Sequence, residues 1–244
     1  MELLNREQLA ELRKYDTPTV CNALECFKYK KNIEGTMRPG MFLRTRDKTP
    51  VVGYAATAKV SANYPDADGH AMLMGYYEHV REMGDPTIAV VQDTDKVPQA
   101  SFWGEVQAVV HQSLGCVGTL MQGGVRDVDE AGRLGFYFYS TEINVSHGYI
   151  HVEKYNCPVN ILGLTIHPGD LLHFDQHGAA VVPHEVAPRL AEACRAMIEA
   201  EYPMLEPCKK AIAEGRKPTM EEISQWRSAM AEAREKLSAP FALK

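Results

Sequence analysis

Between Ser101 and Leu134 the sequence SFWGEVQAVVHQSLGCVGTLMQGGVRDVDEAGRL changes period, and that change restricts the fold more than any other stretch. Val106–Leu114 carries apolar residues at helical spacing, whereas Gly115–Gln122 is a mostly apolar run of strand length that ends in Gly123-Gly124. Two charged pairs flank this unit. Gly104-Glu105 precedes the helix and Arg126-Asp127 follows the strand, with twenty residues between the pairs. A loop–helix–strand unit of that length returns its far end beside its start, so both pairs can share one cleft.

The residue types set what such a cleft could do. Arg126 offers a planar fork of donors suited to a carboxylate. Asp127 offers hard oxygen atoms suited to Mg²⁺ or Mn²⁺, ions that keep several waters. Glu105 is a second carboxylate, able to hold a metal-associated water or to move a proton. Gly104 and Glu105 open the helix, where backbone N–H groups point outward and favour an anion. The same residues also admit a purely structural reading. Asp127 could be the N-cap of a helix over Val128–Leu134, with Glu130 three residues on and Gly135 closing it. Arg126 would then pair with a surface carboxylate, and Glu105 would be a solvated first-turn acid.

The rest of the chain follows the same alternation. Asn5–Lys14 reads as a short amphipathic helix, and Thr17-Pro18 starts another, with Thr17 as N-cap. Pro39–Pro50 is expected to be a polar loop, Val51–Val60 a strand, Asp66–Glu82 a helix and Thr87–Gln92 a buried strand. Phe136–Ser140 continues the pattern, and Asn160–Ile166 with Leu171–Phe174 is expected to form a hairpin around Pro168-Gly169. Ala179–Val182 is a last short strand. Beyond Pro183 the sequence reads as helical, with Ala187–Ala200 one helix and Thr219–Leu237 another, capped by Thr219 and Glu222. The expectation is an α/β domain of layered α/β/α type with a mixed sheet over residues 1–185, and a helical extension over residues 186–244. Met220, Ile223, Trp226, Met230, Ala233 and Leu237 fall near one helical face, so the last helix should pack on its own domain or on another subunit.

Composition excludes several classes. A net charge of −6 gives no electrostatic case for nucleic acid or an anionic membrane. The local basic run Arg38–Lys48 holds four cations and reads as a solvated loop. No apolar run approaches the length of a membrane span, and MELLNREQ lacks a signal-peptide core. Six cysteines without CxxC spacing read as reduced thiols, which points to a cytoplasmic protein and against a cysteine-built zinc site.

Two other constellations compete. His173, Asp175 and His177 alternate in HFDQH and could share one strand face as a two-histidine, one-carboxylate iron site. Gly178 follows at once, so a polar sheet face ending in a turn is the better reading. His147 and His151 in HGYIH stand one helical turn apart, yet Gly148, Ile150 and Val152 disfavour a helix there. A loop or strand beside the cleft is the better expectation. Cys116 lies within an apolar strand and reads as core.

Gly-Glu, twenty residues and Arg-Asp together resemble the signature of the RraA-like family, which includes the class II 4-hydroxy-4-methyl-2-oxoglutarate aldolases. Thr17–Leu24 (TPTVCNAL), Val51–Val60 (VVGYAATAKV), Gly123–Gly135 (GGVRDVDEAGRLG) and Ile166–Pro183 (IHPGDLLHFDQHGAAVVP) extend the resemblance over roughly residues 17–185. Ser101 stands where the family often has glycine, and Glu105 stands where some members have aspartate. The resemblance implies a divalent-metal-dependent aldolase that cleaves a small 4-hydroxy-2-oxo acid to pyruvate and a second carbonyl compound, with oxaloacetate decarboxylation as a side activity. It implies Mg²⁺ or Mn²⁺ on Asp127, catalysis by Glu105 and Arg126, and a substrate held by Gly104, Glu105, Val106, Gln107 and Arg126. The motif contains no lysine, so a Schiff base has no obvious candidate there. The family also includes non-catalytic regulators that bind a ribonuclease, and a related lyase acting on a sugar-acid derivative is a further alternative. A homotrimer or homohexamer is implied as well.

Overall fold

The computed structural model describes residues 3–28 and 35–243. It divides into two compact units, residues 1–17 with 35–184, and residues 18–34 with 185–244.

The first unit is built on a mixed sheet. Its helices are α1 (Arg6–Leu12), α3 (Gly69–Glu82), α4 (Glu105–Ser113) and α5 (Val128–Arg133), while α2 (Thr17–Glu25) begins at its edge. Its strands are β1 (Phe42–Leu43), β2 (Val51–Ser61), β3 (Thr87–Asp93), β4 (Ser101–Trp103), β5 (Cys116–Val125), β6 (Tyr137–Ile143), β7 (His151–Tyr155), β8 (Val159–Ile161), β9 (Leu164–Ile166), β10 (Leu171–Asp175) and β11 (Gly178–Val182). Among the described residues nine strands form the main sheet in the order β1-β6-β5-β3-β2-β10-β11, with β4 added beside β5 and β7 beside β2. The centre, β2-β3-β5-β6, is parallel. β10 and β11 extend it antiparallel.

The parallel centre explains the continuous apolar runs, because such strands are covered on both faces. On one face Ala58, Val60, Val91, Met121 and Phe138 pack with Tyr76 and Val80 of α3, Ala108 of α4 and Ala131 of α5. On the other, Ile88, Val90, Leu120 and Phe174 pack with Val159, Ile161, Leu164 and Ile166. That second cover is a two-stranded β8–β9 hairpin rather than a helix. Each fully buried Val, Ile, Leu or Phe side chain contributes roughly 1.5–3 kcal/mol.

Three expectations are corrected. Asn160–Ile166 does not pair with Leu171–Phe174; it folds on itself as β8–β9, and Leu171–Phe174 pairs with Val51–Tyr54 instead. The cause is a two-residue turn at Leu162-Gly163, with φ of 46° and 86°, the geometry that closes tight hairpins. The presumed loop over Pro39–Pro50 contains β1, and Arg44 is no solvated cation. Its guanidinium donates to Ser140 Oγ at 3.1 Å, to Ser140 O at 3.1 Å and to Thr141 O at 2.8 Å. The helix after Pro183 does not stop at Ala200 but runs on through Pro203 and Pro207.

In the second unit α6 (Ala187–Ala213) and α7 (Met220–Ser238) form a helical hairpin, with a 3-10 turn at Ala239–Phe241. Thr219 and Glu222 form the expected capping box. Arg234 lies 3.8 Å from Glu201, which fixes the antiparallel register. Ile223, Trp226, Met230, Ala233 and Leu237 are half-buried, whereas Met220 is exposed. No helix among the described residues is long and apolar enough to cross a membrane.

Candidate functional site

The two charged pairs do meet. β4 leads into Gly104, α4 starts at Glu105, and β5 ends at Val125 immediately before Arg126 and Asp127. β5 runs on past Gly123-Gly124, so that Ser101 pairs with Gly124 and Trp103 with Val125. The pairs therefore sit at the carboxyl ends of parallel strands, the edge at which open α/β sheets bind ligands.

Backbone bonds hold the two turns together. The Arg126 N–H donates to Trp103 O at 2.9 Å, and the Glu105 N–H donates to Asp127 Oδ2 at 3.0 Å. Asp127 is the N-cap residue of α5, yet its carboxylate makes no cap hydrogen bond there. Asp127 thus stands at the N-cap position expected of it, but its side chain serves the first amide of α4 rather than its own helix. Its backbone is left-handed, at φ 53° and ψ 44°, a conformation that costs a non-glycine residue free energy and is concentrated at functional sites. Asp127 is exposed and Arg126 half-exposed, and Arg126 Nε lies 4.0 Å from Asp127 Oδ2.

Gly104 makes this approach possible. A Cβ there would lie 2.6 Å from Asp127 Oδ2 and 3.2 Å from Arg126 Nε. The hydrogen-bond ladder of α4 starts where the Ala108 N–H donates to Gly104 O at 3.0 Å. Hence Val106 and Gln107 have no partner for their N–H groups within the helix, while Glu105 has given its N–H to Asp127. Of the amides expected to hold an anion, those of Val106 and Gln107 are the ones left to do so.

Behind this edge the packing is tight and aromatic. Trp103 is fully buried, and its ring centroid lies 4.4 Å from that of His111. Burial pushes His111 down to about 4, so it is a neutral packing element, with Nδ1 2.8 Å from Gln107 O. The Tyr77 O–H donates to Gln107 Oε1 at 2.8 Å and fixes that side chain.

One residue was not anticipated. Asp93, at the end of β3, is buried, and its Oδ2 has no hydrogen-bond partner. Burial pushes its carboxyl up to about 6, although Oδ1 accepts the Asp95 N–H at 2.9 Å. An acid closing an apolar strand, as in AVVQD, is the signal that could have found it.

The iron-site constellation is not supported. His173 Nδ1 lies 3.0 Å from Thr17 Oγ1, Asp175 Oδ2 accepts the Thr17 N–H at 2.8 Å, and Asp175 Oδ1 accepts the His177 N–H at 2.8 Å. The expected Thr17 cap is corrected at the same time, because its hydroxyl is turned to His173. Cys116 is a buried thiol pushed up to about 12, as befits core. His147 and His151 do not form a helical pair: His147 lies in a loop and His151 opens β7.

Among the described residues no group of three or more His, Cys, Asp or Glu is placed to hold a metal ion. A fully protein-ligated ion does not fit this site. A hydrated hard cation does, because Mg²⁺ is commonly bound by one or two carboxylates, with waters and substrate oxygens completing its shell.

A family model described as Aldolase/RraA (RraA-like) matches residues 17–181. A Halalkalibacterium halodurans protein named "Putative 4-hydroxy-4-methyl-2-oxoglutarate aldolase" is 25% identical over 176 residues, covering 72% of this chain and 76% of that one. Protein DlpA of Legionella pneumophila is 32% identical over 100 residues, 39% of this chain, and the match spans only 16% of its length. The fold matches a crystal structure of an uncharacterized protein from Pseudomonas syringae pv. tomato, with a TM-score of 0.68, 23% identity and 96% of each chain covered. It also matches Streptomyces coelicolor RraAS2, described as an unusual member of the RNase ES inhibitor RraA protein family. There the TM-score is 0.62 and the identity 21%, over 79% of this chain and 92% of that one.

Proposed function

The chain belongs to the RraA-like family, and on that premise we propose that it is a divalent-metal-dependent carbon–carbon lyase of the pyruvate-aldolase class. Its substrate would be a small 4-hydroxy-2-oxo acid, cleaved to pyruvate and a second carbonyl compound, with oxaloacetate decarboxylation as a side activity. One observation carries the reading. Asp127 is held in a left-handed conformation, with Oδ2 bonded to the Glu105 N–H and the carboxylate exposed beside Arg126. The bond leaves the rest of the carboxylate open to solvent beside the Arg126 guanidinium.

Asp127 is the residue to hold the cation, within a shell otherwise made of water and substrate. When bound, Mg²⁺ or Mn²⁺ supplies a Lewis acid that polarises the 2-oxo group. Arg126 binds the same end of the substrate and stabilises charge that develops on the C2 oxygen as the C3–C4 bond breaks. The Val106 and Gln107 N–H groups, at the positive end of α4, hold the 1-carboxylate. Glu105 is exposed at the mouth of the site, where it can take the 4-hydroxyl proton. Buried Trp103 and His111 keep this edge rigid from behind.

The test is pyruvate release from 4-hydroxy-2-oxo acids and oxaloacetate with Mg²⁺, repeated with EDTA and with Asp127→Asn. Turnover that EDTA and the substitution both abolish, in a variant that melts like wild type, is the expected outcome. Turnover indifferent to both would sink the mechanism. A second class, a ribonuclease-binding regulator, finds support in the likeness to RraAS2 in fold alone. Binding to a ribonuclease without any 2-oxo acid turnover would favour it.

A further inference from the structure

We propose that the cleft beside α4, lined by Asp66, His70, Gln107, His147 and His151, binds an uncharged, hydroxyl-bearing chain. This rests on the lyase reading: the chain would be the distal part of a substrate whose 2-oxo acid end lies at Arg126 and Asp127. The cleft measures about 390 Å³ and shares Gln107 with the first turn of α4, the turn that Glu105 opens. Gln107 thus links the cleft to the turn beside Arg126 and Asp127.

The histidines define the chemistry. His147 Nδ1 lies 2.8 Å from Gly148 O, and His151 Nδ1 lies 2.9 Å from Tyr149 O. A carbonyl oxygen only accepts, so each Nδ1 carries the ring proton. In the neutral imidazole, Nε2 is then a lone pair that accepts. His151 is braced: it is 8% exposed, and the Tyr64 ring packs edge-on against it with centroids 4.9 Å apart. Tyr64 is itself held by its O–H donating to Glu153 Oε1 at 2.6 Å. Asp66 adds acceptor oxygens close by, because a Cβ on Gly69 would lie 3.4 Å from His151 Cβ and 3.9 Å from Asp66 Oδ2. Gln107 spends its oxygen on Tyr77 and offers its NH₂ as a donor.

The cleft is thus rich in acceptors and contains no Lys or Arg. A second carboxylate on the substrate would face the Asp66 carboxylate and find no Lys or Arg to pair with, an arrangement that disfavours it. Hydroxyl groups both donate and accept, so they satisfy the histidines, Asp66 and Gln107 together. A metal ion is not the occupant indicated, since no three ligating groups converge among the described residues.

The experiment compares two substrates of wild-type enzyme with Mg²⁺. One is a 4-hydroxy-2-oxo acid with hydroxyls on C5 and C6; the other ends in a second carboxylate. The hydroxylated substrate should have at least about tenfold higher kcat/KM, the effect of one well-made hydrogen bond. His151→Phe keeps the ring shape and removes the acceptor, and His147→Ala removes the other. Each should lower kcat/KM on the hydroxylated substrate about tenfold, mainly through KM. Deuterium exchange into the methyl group of pyruvate, which has no distal chain, should stay within about twofold of wild type. Preference for the carboxylated substrate, no loss in either variant, or equal loss of pyruvate exchange would overturn the proposal.

A nuclear magnetic resonance titration of the histidine ring nitrogens with erythritol separates this proposal from the lyase reading. If no 2-oxo acid is turned over yet erythritol shifts His147 and His151 Nε2, the lyase reading fails and the polyol cleft stands. If neither turnover nor a shift is seen, both fail.

Discussion

The backbone N–H of Glu105 donates to Asp127 Oδ2 at 3.0 Å, so the acid that closes one β–α turn is anchored on the first amide of the helix opened by another. The bond fixes the direction of a carboxylate that its own helix leaves uncapped. It also takes from α4 one of the amides that an anion could otherwise use, leaving those of Val106 and Gln107 without a partner in the helix. Pre-organisation of this kind matters because a displacement of about 1 Å at a reacting centre can cost a hundredfold in rate.

Gly104→Ala should therefore lower kcat/KM by about a hundredfold with little change in the thermal midpoint. The added methyl would meet Asp127 Oδ2 at 2.6 Å and push both Asp127 and Arg126 aside, while the extended backbone at Gly104 accepts alanine. Kinetics alongside thermal melts check this. Normal activity in Gly104→Ala would show that the closeness of the two turns is not needed.

Arg126→Lys keeps the charge and loses the two-pronged geometry, so kcat/KM should fall by about a hundredfold or more. Arg126→Ala should also weaken inhibition by oxalate, a mimic of the pyruvate enolate. The fold should persist, because the Arg126 N–H bonds to Trp103 O whatever the side chain. Unchanged oxalate inhibition in Arg126→Ala would remove the residue from the site.

Asp93 gives a pH signature. Burial raises its carboxyl from the ordinary value of 3.8 to about 6, so between those values the folded protein binds this proton more tightly than the unfolded chain does. Its contribution to stability therefore falls as pH rises through that window, and above it the buried carboxylate is a cost on the order of 3 kcal/mol. Asp93→Asn should be more stable than wild type at about pH 7.5 and lose that advantage near pH 4. Urea unfolding of both proteins at the two pH values measures this. A difference independent of pH would show that Asp93 does not titrate as described.

A homotrimer or homohexamer is expected in solution. α7 covers part of its apolar stripe against α6, yet Met220 remains 76% exposed, with Ile198, Tyr202, Leu205 and Ile212 exposed along α6. Apolar area left in water forgoes about 25 cal/mol per Å² and invites association. Light scattering on the full chain and on a chain ending before Lys217 decides it: the truncation should lower the mass or the solubility. A monomeric full chain, or an unaltered assembly after truncation, would overturn the expectation.

The parts of the fold legible in the sequence were those governed by period. β2, β3 and β5 show as unbroken apolar runs because both of their faces are covered, and α4 shows by its helical spacing. The β8–β9 hairpin was hidden because Leu162, an unusual residue at positive φ, sits where asparagine or aspartate would have announced the turn. α6 runs past the expected end at Ala200 and through Pro203 and Pro207, where packing against α7 outweighs the two lost backbone donors. At the site, spacing showed that Glu105 and Arg126-Asp127 could meet. Only three-dimensional geometry shows that the Glu105 amide is already taken and that His70, distant in sequence, joins His147 and His151 in lining one cleft.

Apart from Phe102 and Gln107, that cleft is assembled from the start of α3 with the residues before it and from the loop before β7 with the first residues of β7, outside the β4–α5 segment that carries Glu105, Arg126 and Asp127. On the proposed reading, substitutions confined to those two stretches would change what the cleft accepts and leave the bond between the Glu105 N–H and Asp127 Oδ2 in place.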